Sequence, residues 1–258
     1  MKNILKQIVA IGSVTFRELV REKILWSTVV FSFLVMALSY AVAQISIYES
    51  ERITLDFGAA AVGMIGSLMA VVVGGSLISR EVKDRTLYLV LTKSIWRWQF
   101  VLGKTFGFYG IIILNTLVMY LVLAGIYIFS GGALKIQYFY NIHMQLLEFM
   151  VLASIGVFFS CFTTSVLSTI FSAGLWIIGH AMDDVRLAVE KIALDFVKDI
   201  ATIIIKIIPD LTVFDVKPQL SHGIPVEFTH ILLATGYGFV FIAFTLSAAC
   251  FIFSKRDL

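Results

Sequence analysis

The sequence is short of charge. Only 14% of its 258 residues are Asp, Glu, Lys or Arg, whereas 59% are apolar. A soluble domain of this length typically devotes about a quarter of its residues to charge. The deficit excludes an ordinary soluble fold, and the apolar residues are bunched into nearly uncharged runs. Runs of about 20 residues are long enough to cross a hydrocarbon core roughly 30 Å thick. Proline is also scarce, with three residues in all, so little interrupts long helices. Spanning backbone must satisfy its own hydrogen bonds, which leaves helices or a closed barrel. Continuous runs exclude the alternating strands of a barrel, each about ten residues long. An all-α integral membrane protein is expected.

Other absences narrow the chemistry. The two cysteines, Cys161 and Cys250, lie far apart inside apolar stretches and read as small buried hydrophobes rather than a disulfide or metal framework. No stretch fits the phosphate loop G-x-x-x-x-G-K-[ST], so the chain is not expected to hydrolyse ATP itself. Neither a G-x-S-x-G elbow nor an H-E-x-x-H pair is present. Ionisable residues deep in a span mark ion or proton pathways, because placing a charge there costs about 2.5–3.5 kcal/mol on insertion scales. This sequence offers almost none: Glu148 falls near the outer end of the fourth run, and Asn115 and Gln44 are uncharged. Their scarcity argues for an energy source other than protons and leaves a plain channel open. The nearest approach to a site is His180 with Asp183 and Asp184, which one helical turn would bring together to bind a metal or pass a proton. Polar residues at a helix end entering water explain these three equally well. Neither a metal nor another cofactor of its own is expected, and nucleic acid is not expected as a partner.

What is present is a regular succession of apolar runs. Residues 1–23 carry Lys2, Lys6, Arg17, Arg21 and Lys23, with Ile4, Ile8, Ile11 and Thr15 on one helical face. That spacing predicts an amphipathic helix at the membrane interface. Six spans follow, at about 24–44, 58–78, 105–129, 146–162, 166–180 and 231–253, within one transmembrane domain covering 1–258. The Ala41-Val42-Ala43 pattern raises a cleaved signal peptide, but the long charged stretch before it favours an uncleaved first span. Small residues gather in the second span, including Gly63, Gly66, Gly74 and Gly75, and predict close helix packing.

Charge sets the orientation. The N-terminal stretch, residues 79–104 and the C-terminal tail hold thirteen of the twenty Lys and Arg residues and are net +8. The rest of the chain is net −5. The positive-inside rule then places both termini and 79–104 in the cytoplasm of a multi-pass protein of the cell membrane.

Two polar segments interrupt the pattern. From Ser79 the chain reads SREVKDRTLYLVLTKSIWRWQFVLGK, mixing both charge signs with apolar residues. A loop that only fixes topology has no need of that mixture; it suits docking in a partner's groove, with ionic contacts at the rim. Trp96, Trp98 and Phe100 would anchor the third helix in the interface, with Lys104 at its foot. The outer segment, 181–228, shows helical spacing to about Ile208, where Pro209 stops it. It is expected on the outer rim, as a gate or a surface for an outer partner.

These residues resemble the ABC-2-type permeases, the membrane subunits of ATP-binding-cassette exporters. Arg80-Glu81, Thr86-Leu87, Arg97 and Gly103-Lys104 match the family's E-x-x-x-x-T-L…R…GK block between its second and third spans. TFRELVREKILW from Thr15 is similar to the family's start, FSKRDL from Phe253 to its ending, and IPDLTVFDV from Ile208 to the segment before its last span. Asp84-Arg85 stands where Gly is often found, and Ser94 where Pro is frequent. The branch most similar in character is that of the copper-enzyme-maturation permeases. The resemblance implies a six-helix subunit that dimerises, as a homo- or heterodimer, above two separate ATPase subunits that bind the ATP. It implies a coupling helix over 80–91 that carries Arg80, Asp84 and Thr86, sets Glu81 and Arg85 at the ATPase groove and fills it with Leu87 and Leu91. Arg97 and Lys104 would stand at the foot of the next helix, and the N-terminal helix would also touch the ATPase. A channel or carrier without an ATPase, a membrane enzyme using His180, and a mechanical transmitter acting on an outer partner remain the competing readings.

Overall fold

A computed structural model of the chain describes residues 2–43, 50–84, 96–191, 195–222 and 226–256. Among these residues all regular structure is helical. The helices are α1 (Lys2–Arg21), α2 (Lys23–Ala43), α3 (Ser50–Ser76), α4 (Ser79–Lys83), α5 (Arg97–Phe129), α6 (Ile136–Ser160), α7 (Ser165–His180), α8 (Met182–Glu190), α9 (Asp195–Ile207), α10 (Lys217–His222) and α11 (Phe228–Lys255), with one 3₁₀ turn at Thr212–Phe214.

Four of the described helices, α3, α5, α6 and α11, are long and apolar enough to cross a membrane. A fifth crossing results if α7 and α8 form one span, bent by 69°. Helix α2 has 21 residues, and among its described residues the apolar stretch covers Thr28–Leu38. Hydropathy predicts six spans; by length and composition the described residues hold four, or five with the bent pair. The difference at α7 is one of length. Its 16 residues rise only about 24 Å, short of the hydrocarbon thickness, and the chain then turns at Ala181.

The bundle is built around α3 and α6, which pack along each other through glycine. A Cβ on Gly156 would lie 2.8 Å from both the Gly74 carbonyl carbon and the Gly75 nitrogen, so only hydrogen fits between these backbones. The small residues noted in the second run therefore serve as contact points. Where α3 ends, Ser160 of α6 accepts hydrogen bonds from the amides of Ile78 (3.0 Å) and Ser79 (2.8 Å). A hydroxyl from another helix thus satisfies amides that the start of α4 leaves without helical partners. Outward, α2, α5 and α11 expose Phe31, Leu34, Leu121, Leu233, Phe244 and Phe251, the surface a bilayer covers.

Helix α1 is seated on α5 as well as amphipathic. Gly103 meets Ile8 and Ile11, and a Cβ on Gly107 would fall 2.5 Å from the Gly12 carbonyl oxygen. Leu5, Val9 and Val14 stay exposed on its other side.

The segment after α9 departs most from expectation. It does not run along a rim: Leu211, Phe214 and Val216 are buried in the main core. The Leu211 amide donates to the Gly179 carbonyl at 3.1 Å, and Phe214 lies against Gly238 of α11. Asp210 pins this return. Its carboxylate accepts from Arg186 at 2.6 Å and from the Thr212 hydroxyl (2.6 Å) and amide (3.1 Å). Asp210→Ala is expected to lower stability by about 2 kcal/mol through these charge-assisted bonds, read as the thermal midpoint of the detergent-solubilised protein.

Candidate functional site

The charged residues expected between the second and third runs meet the N-terminal helix at one end of the bundle. Lys104 Nζ donates to Glu81 Oε1 of α4 at 2.5 Å and to Glu18 Oε2 of α1 at 3.1 Å. Its side chain is only 8% exposed, and that of Glu81 16%. Beside them, Arg80 Nη1 of α4 donates to Glu22 Oε1 of α1 at 2.9 Å. One ammonium therefore fastens three helices, and a second ion pair joins two of them again. The Lys104–Glu81 pair is largely excluded from water, and such a pair is strong only while both signs are present, because a lone charge there is not compensated.

Two expectations change here. Lys104 was expected at the foot of the third span, but α5 begins at Arg97, so Lys104 lies two turns inside it. Glu81 was assigned to an ATPase groove by resemblance; in the bundle its carboxylate faces inward to Lys104. Asp84 is exposed at the end of α4, with its amide bonded to the Arg80 carbonyl at 2.9 Å. Arg85, Thr86, Leu87 and Leu91 lie outside the described residues.

Arg97 does stand at the foot of α5, and it faces the chain's end. Its Nη1 donates to the carbonyl oxygens of Arg256 and, at 3.4 Å, Ser254, while Arg256 Nη1 donates to the Cys161 carbonyl at 2.7 Å. Two guanidinium groups thus serve the carbonyl ends of α11 and α6, where cations are favoured.

At the opposite end of α7, His180 does not join Asp183 and Asp184. Both aspartates are exposed on α8, and Asp183 lies 3.5 Å from Arg186. Among the described residues no three His, Cys, Asp or Glu side chains are grouped to hold a metal ion. His180 instead turns into the bundle, with Nε2 3.3 Å from Glu148 Oε1. Glu148 is not at a span's outer end. Helix α6 begins at Ile136, so the residue sits near its middle, 1% exposed, and its Oε1 also accepts from the Ser67 hydroxyl at 2.9 Å. Asn141 and Gln145, two turns and one turn earlier, are buried too and donate to Tyr120 Oη (2.5 Å) and the Ala59 carbonyl (3.1 Å).

Sequence reasoning missed Glu18, Glu22, Ser67, Glu148 and Ser160 as partners. Glu18 and Glu22 carried a faint signal, being acidic residues four apart on an otherwise basic amphipathic helix.

Several long apolar helices, packed around a charged junction at one end, define a multi-pass membrane protein. Comparison with protein families matches residues 10–258 to the ABC-2 family transporter protein, and the chain belongs to that family. It is thus an ABC transporter permease, a membrane component of such a transporter. No curated protein matches the sequence.

Proposed function

We propose that this chain is the membrane subunit of an ATP-driven exporter, working as a dimer of permease copies above two separate ATPase subunits. The family match over residues 10–258 carries the reading. Supporting it, the mixed-charge segment begins at α4, which is fastened to α1, α5 and α6. In this reading both termini and the α4 end face the cytoplasm of the cell membrane, where the excess of Lys and Arg lies. Arg85, Leu87 and Leu91 dock in the ATPase, Asp84 stands at the rim, and Glu81 acts one step back by holding α4 to α5. Closure of the ATPase pair on ATP moves α4, and the junction hands that motion to the bundle.

The test is co-expression with the ATPase subunit. Arg85→Glu combined with Leu87→Asp is expected to weaken co-purification of the ATPase and ATP-driven transport at least about tenfold, while the permease still inserts in the membrane. Undiminished co-purification would overturn the docking assignment. Ion conduction by the permease alone would favour a channel instead.

A further inference from the structure

We infer that Glu148 and His180 form a one-proton binding site inside the bundle. His180 Nδ1 lies 3.1 Å from the Trp176 carbonyl oxygen, which can only accept, so Nδ1 carries hydrogen. Nε2 is then the variable atom, and it faces Glu148 Oε1 at 3.3 Å. With no proton between them, a lone pair would oppose a carboxylate oxygen. The carboxylate would be a buried anion whose Oε2 makes no hydrogen bond among the described residues, a costly state in a low-dielectric interior. With two protons, a half-buried imidazolium would face a neutral acid and lose its counter-ion. One proton, on either Oε1 or Nε2, leaves a neutral pair or an ion pair and avoids both penalties.

The surrounding charges do not replace that proton. From α3 comes the uncharged Ser67 hydroxyl. From α5, Tyr120 is within electrostatic reach of Glu148, and it is neutral at ordinary pH. Lys217 of α10 is within reach of His180, but its ammonium lies 3.3 Å from the Asp215 carboxylate. The seat of the imidazole depends on the return segment, because Leu211 is bonded to Gly179, the residue before His180. A shift of α7 that separates Nε2 from Oε1 must release the shared proton or strand a charge. Conformations of this bundle are therefore linked to proton binding, which the scarcity of charge in the sequence argued against.

The test uses the full chain in lipid nanodiscs without an ATPase, so its outcome is independent of the exporter reading. Infrared spectra report a protonated buried carboxyl, and nitrogen-15-labelled histidine reports imidazolium. At about pH 7, above the ordinary midpoints of both groups, one of these signals is expected at this pair and not the other. Glu148→Gln removes the carboxyl signal if that is the one present, and leaves His180 neutral. His180→Asn leaves Glu148 protonated at the same pH, and this reading stands in if Glu148→Gln does not fold. Neither signal in the unmodified protein, or both together, would overturn the inference.

Discussion

Lys104→Met is expected to destabilise the protein by about 3 kcal/mol and to uncouple ATP hydrolysis from transport. Methionine keeps most of the side-chain volume, so the loss reports charge rather than packing. Without the ammonium, Glu81 at 16% exposure and Glu18 at 50% face each other. Removing one member of a buried pair typically costs about 3–5 kcal/mol, and Glu18, half in water, brings the figure to the lower end. The measurements are the thermal midpoint in detergent and the ratio of transported cargo to ATP hydrolysed with the partner ATPase. Glu81→Gln added to Lys104→Met should recover part of the stability, because it removes a stranded carboxylate, and none of the coupling. Full coupling in Lys104→Met would show that the junction is only structural.

Gly156→Val should be more severe and should prevent folding. The new Cβ would stand 2.8 Å from two backbone atoms of α3, which have no rotamer by which to escape. Overpacking a flexible core costs about 1–3 kcal/mol; here the central pair of helices must separate along its length. Size-exclusion profiles of the solubilised protein should show aggregate in place of a monodisperse peak. Gly125→Ala is the control. Nothing lies within 4 Å of a Cβ at that position, and alanine is the better helix former by about 1 kcal/mol, so its profile should match the parent's or improve on it.

Hydropathy made the membrane class and the apolar cores of the helices legible, because a bilayer imposes a length and a composition on each. It was less able to find their ends. The third run appeared to start at 105 because Arg97, Gln99 and Lys104 interrupt it, yet each finds a partner in the fold: Arg256, the Trp96 amide and the two acids. Helix α6 was cut short in the same way. Asn141 and Gln145 look like loop residues until Tyr120 and the Ala59 carbonyl are set beside them, and the shortening moved Glu148 to a false end. The site was half visible. Residues 80–104 stood out by their mixed charge, but the partner of Lys104 on α1 is 86 positions away, and no spacing rule reaches that far. Leu211, Phe214 and Val216 gave no sign of burial, because a stretch of six residues has no span length to betray it; Gly179 and Gly238 decide where it goes.

The hydroxyl of Ser160 also constrains how a push can travel. It holds the first amides of α4 to the last turn of α6, and α6 continues without a break back to Glu148, twelve residues or about 18 Å away. Helix α6 is then a single rod with one tip at the charged junction and its midpoint at the buried carboxyl. Any thrust that carries Ser160 with it reaches the far half of the bundle along one backbone, with no intervening joint to absorb it.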